Sequence, residues 1–487
     1  MQSHQRSLTG RVMRSSYWML ANSGIVKLLT LVTQIVLSTI LAKDEFGVYA
    51  IAISISALLT NFRGGGMLQW LVQGGKTDFD NRAGPAFWTG IAFNSILAIG
   101  IVAVAFPAGE FFNDSRVVGV VIVSGLSFPL LSFGSYYKTE MSMDLRMREV
   151  TLIEVASAIV RSVLMVALAL LGFGPLSFVL PLPISYLVEG LGGYYCTRDR
   201  AWRRSGQLRS WHRLIWRNRW ILAGTFIITV GLQADYTILG KMTTLTILGV
   251  YYFAYQMTYM SASLVTNNVR RVLVPSLVSL PSSRRPQAAL NAAAASMVIG
   301  APLLMVFACV IDPLESLLWS GKWADAVLPI QVLSLGLPLE LLTAVTQATL
   351  QSEGKFRLWT TVNLIRSLFV VIGALAAGVW ANDDIATIAI IMTSAFAAAN
   401  ILQIWLVFWN LGISAWTLVR TTISGTTIAP AALLVVLMGT ASIHLPNIWE
   451  LVVASVAYFA LYLLLVAIVD LRALKAAGTS LTSSLRR

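Results

Sequence analysis

The chain has 487 residues, of which 57% are hydrophobic and only 12% charged, with a formal net charge of +13. Soluble domains carry about 25% charged residues, so the composition excludes a string of soluble catalytic domains and places the chain in a membrane. The positive excess fits Lys and Arg held on the cytoplasmic loops of a multi-span protein, not nucleic-acid binding.

The first sixteen residues are polar and basic, and the apolar run that follows is too long for a signal-peptide core and has no small-residue cleavage site. It reads as an uncleaved span. Fourteen apolar segments are predicted: Trp18–Leu41, Phe46–Phe62, Pro85–Phe106, Val117–Tyr137, Val150–Leu171, Pro175–Cys196, Trp220–Leu239, Ile247–Thr266, Ala289–Ile311, Ala326–Leu350, Leu358–Trp380, Ile385–Trp409, Ile423–Ala441 and Ile448–Val469. The fold class is therefore an all-α integral membrane protein of about fourteen transmembrane helices. With the N-terminus inside, 28 of the 35 Lys and Arg fall on inner segments. Four (Lys43, Arg116, Lys241, Lys322) fall outside and three (Lys27, Arg161, Arg366) within spans. That asymmetry puts both termini in the cytoplasm.

The longest outer loop, between Ile311 and Ala326, has fourteen residues. It is too short for the extracytoplasmic site that a glycan polymerase or ligase needs. The inner segment 197–219 holds eight arginines. Arg209, Arg213 and Arg217 recur every four residues opposite Leu208, Trp211, Leu214 and Ile215, the pattern of an interfacial helix. Cys196 and Cys309 read as core residues. The three histidines have no metal-ligand spacing, and no metal site is expected.

Phe46-Gly47-Val48-Tyr49-Ala50-Ile51-Ala52 opens the second span, and Leu248-Gly249-Val250-Tyr251-Tyr252-Phe253-Ala254 opens the eighth. Six spans separate the copies, so the repeat is parallel, with its axis along the membrane normal. The expected organisation is a six-helix bundle at 1–196, a basic interfacial linker at 197–219, a second six-helix bundle at 220–410, and two extra helices with a cytoplasmic tail at 411–487.

The outer turn Leu41-Ala42-Lys43-Asp44-Glu45-Phe46-Gly47-Val48-Tyr49-Ala50 resembles the L-x-P-x-E-F-G-x-Y-A signature of bacterial polysaccharide exporters, with Lys43 in place of the usual Pro. Asp235-Tyr236-Thr237-Ile238-Leu239-Gly240 followed by Leu248-Gly249-Val250-Tyr251, and Pro275-Ser276-Leu277, are similar to further patterns of that family. The chain thus resembles the Wzx-like polysaccharide transporter (flippase) family of the multidrug/oligosaccharidyl-lipid/polysaccharide exporter superfamily. The resemblance implies a MATE-like V of two six-helix bundles plus two C-terminal helices. It also implies a cargo, an undecaprenyl-pyrophosphate-linked oligosaccharide carried from the cytoplasmic to the outer leaflet for exopolysaccharide, capsule or O-antigen synthesis.

Seven ionisable residues lie within the expected spans: Lys27, Glu154, Arg161, Glu189, Asp235, Glu340 and Arg366. Each costs a few kcal/mol at mid-bilayer, so each faces either a partner or a wet cavity. Lys27 shares an approximate polar stripe with Asn22, Thr30 and Gln34. Arg366 stands three residues from Asn363, and its planar guanidinium suits a pyrophosphate. Lys27, Arg366, Arg161, Asn363 and Gln34 are the candidate cavity residues, a neutralising ion pair being the alternative for each charge. Glu154 and Arg161, two turns apart, fit one shared network. Glu189 and Glu340 lie nearer span ends, where snorkelling is an alternative. Asp235 is the candidate for coupling to an H+ or Na+ gradient, or else the partner of a cavity cation.

Arg63, Arg270 and Arg271 stand at the inner mouths of the repeat-related spans, as anchors or as first contacts for the diphosphate. No nucleotide motif and no cofactor are expected, and no enzymatic activity. The expected partners are the lipid-linked cargo, membrane lipids, and the polymerase and chain-length proteins of the same pathway, around a monomer in the bacterial inner membrane. The rivals are a MATE-type drug/cation antiporter, which predicts an acidic cavity, a peptidoglycan-precursor flippase, a membrane glycan polymerase or ligase, and a membrane scaffold.

Overall fold

The computed structural model describes residues 2–60, 71–72, 78–205, 229–231, 233–440 and 447–469, and every regular element among them is helical. The chain groups into two compact units, Met1–Lys241 and Met242–Arg487. The first holds α1 (Gln2–Ile40), α2 (Lys43–Thr60), α3 (Phe79–Phe112), α4 (Ser115–Leu126), α5 (Phe128–Met143), α6 (Met147–Leu170) and α7 (Pro181–Thr197). Residues 233–242 add a further helical segment. The second holds α8 (Leu245–Val278), α9 (Arg285–Ala295), α10 (Ala301–Trp319), α11 (Ala324–Ser334), α12 (Leu337–Ser352), α13 (Phe356–Trp380), α14 (Ile385–Asn410), α15 (Ala415–Ile423), α16 (Ala429–Thr440) and α17 (Asn447–Val469). The basic helix expected around Arg209, Arg213 and Arg217 lies outside the described residues.

Ten helical stretches among the described residues are long and apolar enough to cross a membrane, or eleven if α11 and α12, bent by 46°, form one span. Three of the fourteen expected segments are not in that count. α2 has 18 residues and spends its first turn on Lys43, Asp44 and Glu45. Residues 220–228 fall outside the description. α8 is a helix, but Gln256, Asn267, Asn268, Arg270 and Arg271 interrupt its apolar run. The fourth expected segment is two helices, α4 and α5, with Ser127 between them. Pro129 offers no N–H to the preceding turn, and the helix breaks there.

The expected repeat has a structural counterpart. α1 ends at Ile40, and α2 starts at Lys43 after a two-residue break. Likewise residues 243–244 separate segment 233–242 from α8. Both breaks are capped by a side chain: Ala42 N donates to Glu45 Oε2 (2.7 Å), and Ile247 N donates to Thr244 Oγ1 (3.4 Å). Phe46 and Val48 in one copy, and Leu248 and Tyr251 in the other, are fully buried. The polar caps and apolar side chains recur because each helix must turn sharply and then sink one face into its own unit.

α5 and α7 pack closely beside the first unit's charges. A Cβ at Gly134 would stand 2.6 Å from the Glu189 Cβ, and one at Gly190 would stand 2.7 Å from the Phe133 ring. A Cβ at Gly193 would collide with Tyr137. Lipid gives helices no hydrophobic reason to associate, so small residues that let backbones approach supply the contact. Overpacking such a seam costs about 1–3 kcal/mol. Gly193→Leu should therefore lower the unfolding temperature of the detergent-purified protein. Gly100→Ala is the comparison: a Cβ there meets nothing within 4 Å, so stability should not fall.

In the second unit, Asp384 caps α14, accepting from Thr387 N (2.9 Å) and Ala386 N (3.3 Å). Hydrogen bonding from the Thr387 side chain, with the backbone N–H groups, holds this exposed carboxyl below the usual aspartate range. A lowered folded pKa stabilises above the unfolded pKa and is lost as pH falls through the folded one. Asp384→Ala should thus unfold earlier than the parent at neutral pH. The two should converge in acid, as followed by thermal unfolding.

Candidate functional site

A cavity of about 300 Å³ lies in the first unit, lined by Asn22, Ser23, Val26, Lys27, Glu154, Ser157, Ala158, Arg161 and Glu189. Its lining follows from helical periodicity. Residues 22, 23, 26 and 27 share one face of α1, and 154, 157, 158 and 161 share one face of α6. α7 adds Glu189 beside Gly134, where the missing side chain makes room for it.

The charges are not independent. Lys138, from α5, stands behind the cavity wall at 3.0 Å from Glu154 Oε1 and 2.8 Å from Glu189 Oε2. Asn22 Nδ2 donates to Glu154. Ser157 Oγ is shared between the Ser185 carbonyl (3.0 Å) and Glu189 Oε1 (3.2 Å). Three helices and α1 are thus tied by one polar network. Its formal charge, counting Lys27, Arg161 and Lys138 against Glu154 and Glu189, is positive by one. Among the described residues Arg161 has no ion-pair or hydrogen-bond partner, so its charge faces the cavity uncompensated.

The structure therefore brings two of the five candidate cavity residues, Lys27 and Arg161, into one site. Gln34 is further along α1, outside the lining, with its amide nitrogen buried and unbonded among the described residues. Thr30 gives its hydroxyl to the Val26 carbonyl (2.8 Å). Glu154 does share a site with Arg161, but its ion pair is with Lys138. Glu189 does not snorkel: it is ion-paired and only 13% exposed. Lys138 was missed because the expected span stopped at Tyr137, whereas α5 runs to Met143. Two intramembrane carboxylates without an assigned cation were the signal that one more lysine belonged inside.

Arg366 and Asn363 belong to the second unit. Arg366 grips Glu340, with Nη1 and Nη2 at 3.1 Å from Oε1 and Nη2 at 2.9 Å from Oε2. Asn400 Nδ2 also donates to Glu340 (3.2 Å), and Gln347 donates to Asn363 (3.3 Å). This is the neutralising pair weighed against a pyrophosphate role. Asp235 is buried, and its Oδ1 accepts from Tyr236 N (2.9 Å). Arg270 is half-buried and Arg271 exposed on α8. Arg63 lies outside the described residues. Cys196 and Cys309 are free thiols.

Breaking a buried ion pair by removing one partner costs about 3–5 kcal/mol, because the other charge stays buried alone. Arg366→Met should accordingly depress thermal stability and membrane level. Adding Glu340→Gln should restore most of both, which a purely cargo-binding arginine would not show.

A family profile described as polysaccharide biosynthesis protein matches residues 36–328. Among curated proteins, the succinoglycan biosynthesis transport protein ExoT of Rhizobium meliloti is 25% identical over 72% of this chain and 71% of its own. The lipopolysaccharide biosynthesis protein WzxC of Escherichia coli is 21% identical over 76% of this chain and 77% of its own. Among solved structures, the lipid II flippase MurJ in an inward closed conformation superposes with a TM-score of 0.72 at 9% identity, covering 92% of this chain and 97% of that one. An inward-facing MATE-family multidrug transporter gives 0.62 at 14% identity over 79% and 94%. These two show a shared fold.

Proposed function

The chain belongs to the polysaccharide biosynthesis protein family, and from that premise we propose that it is a multi-pass flippase moving an undecaprenyl-pyrophosphate-linked oligosaccharide from the inner to the outer leaflet. The observation that carries this reading is the first-unit cavity: a polar hollow lined by α1, α6 and α7, whose charged network becomes net positive by one once Lys138 behind its wall is counted. Uncompensated charge inside a membrane is expensive and marks a cargo or ion path. A diphosphate brings the opposite charge and accepts several hydrogen bonds from a guanidinium. Arg161 and Lys27 take the diphosphate, while the lipid tail stays in the bilayer. The named activity of the succinoglycan transport relative is of the same class.

The membrane is the bacterial cytoplasmic one and both termini face the cytoplasm, which the Lys and Arg distribution supports. Translocation proceeds by alternating access to the cavity, without making or breaking a covalent bond. An H+ or Na+ gradient, with Asp235 as the carrying group, or consumption of the product outside, supplies the direction. A cationic drug is a poor fit: Lys138 already compensates Glu154 and Glu189, so the cavity repels cations.

The test is export in cells lacking the chromosomal copy. The deletion should trap lipid-linked oligosaccharide on the cytoplasmic leaflet. Arg161→Ala and Lys27→Ala should each cut export by about tenfold or more, one lost charge-assisted hydrogen bond being worth about 1.5–3 kcal/mol. Membrane levels of both variants should match the parent. Normal export by both would remove the cavity from the mechanism.

A further inference from the structure

The cavity carries a feature that a diphosphate does not explain. Beside Lys27 and Arg161 its wall contains two carboxylates, Glu154 and Glu189. Lys138 offsets their charge, but their oxygens keep lone pairs that no phosphate oxygen can use. A ligand that suits this lining has an anionic part joined to a neutral part rich in hydrogen-bond donors. Sugar hydroxyls are such donors, and ionised carboxylates are acceptors only.

Resting on the flippase reading above, we propose that this cavity is the subsite for the diphosphate together with the sugar attached to it. Glu154 and Glu189 accept hydrogen bonds from the sugar's hydroxyl groups, and Lys138 is their positioning residue.

The unused acceptors point the same way. Each oxygen of Glu154 and Glu189 holds a single donor (Lys138 and Asn22 on Glu154, Ser157 and Lys138 on Glu189), so each retains a free lone pair. Asn22 Oδ1 is buried and unbonded among the described residues, its amide nitrogen being given to Glu154. A buried acceptor left without a donor costs about 1–3 kcal/mol, and this one belongs to the cavity lining. The volume of about 300 Å³ is at the low end of the ~300–1,000 Å³ of ligand pockets. It therefore takes a headgroup and its first sugar, not an oligosaccharide. Lys138 does not line the cavity, so its role is indirect: it fixes the positions of the two carboxylates. Gly134 lets Glu189 reach that position.

The experiment is calorimetric titration of the full-length protein in lipid nanodiscs with two probes, inorganic pyrophosphate and short-chain citronellyl-diphospho-sugars carrying glucose or galactose. Glu154→Gln and Glu189→Gln should weaken the preferred sugar diphosphate by about tenfold or more, as a site built to bond a hydroxyl does when the bond is lost. Pyrophosphate affinity should stay the same or tighten. Arg161→Ala should weaken both probes. Lys138→Met should reproduce the loss of sugar affinity, and Lys138→Arg, which keeps the charge and the fold, should restore it. Thermal unfolding of each variant separates these effects from misfolding. Equal loss of both probes in the Glu variants, or loss of neither, overturns the sugar assignment while leaving the flippase reading intact. A parent protein that binds neither probe and exports nothing overturns both.

Discussion

An ionised carboxylate inside a bilayer costs several kcal/mol unless a cation stands beside it, and in the first unit Lys138 is that cation for two carboxylates at once. The remaining architecture of the unit follows from satisfying this contact. α5 must lie against both α6 and α7, and the glycines at 134, 190 and 193 let it do so. Asn22 then ties α1 to Glu154. The faces of α1 and α6 that carry Lys27 and Arg161 are held toward a common hollow rather than toward lipid.

The second unit handles its charges differently. Glu340 and Arg366 are matched one to one, with three close contacts and an additional amide from Asn400. Such a pair is worth little to stability against an apolar alternative but is costly to break. Its effect is to fix which faces of α12, α13 and α14 meet. In the first unit's cavity network the count is unequal, three cations to two anions. That surplus positive charge is what the proposed anionic cargo would meet.

This unequal count links packing to selectivity. Carboxylates already claimed by a lysine do not attract a drug cation, yet they retain lone pairs for hydroxyl donors. In the proposed reading, Arg161 and Lys27 attract phosphate. One set of side chains can thus reject one cargo class and accept another, without any catalytic group. The same network ties four helices together, so in the proposed reading cargo discrimination and helix packing rest on the same side chains.

Much of this was legible in the sequence, because it depends on local pattern. Apolar runs of bilayer length, the inward bias of Lys and Arg, and the repeated turn before Phe46 and Leu248 each belong to one short stretch of chain. They determined the membrane, the all-helical class and the exporter family. Of the polar stripe expected on α1, Asn22 and Lys27 line the cavity while Thr30 and Gln34 do not. What only the tertiary structure decided is which charges meet. Arg366 and Lys27 look alike in sequence, each a lone cation two turns into a span. One is gripped by Glu340, while the other lines a hollow with Arg161. Lys138 looked like a loop residue and is the centre of the network. The reason is physical: a helix's own period fixes the face on which a charge stands, but its partner comes from another helix, and for Asn22 and Glu154 that partner is 132 residues away.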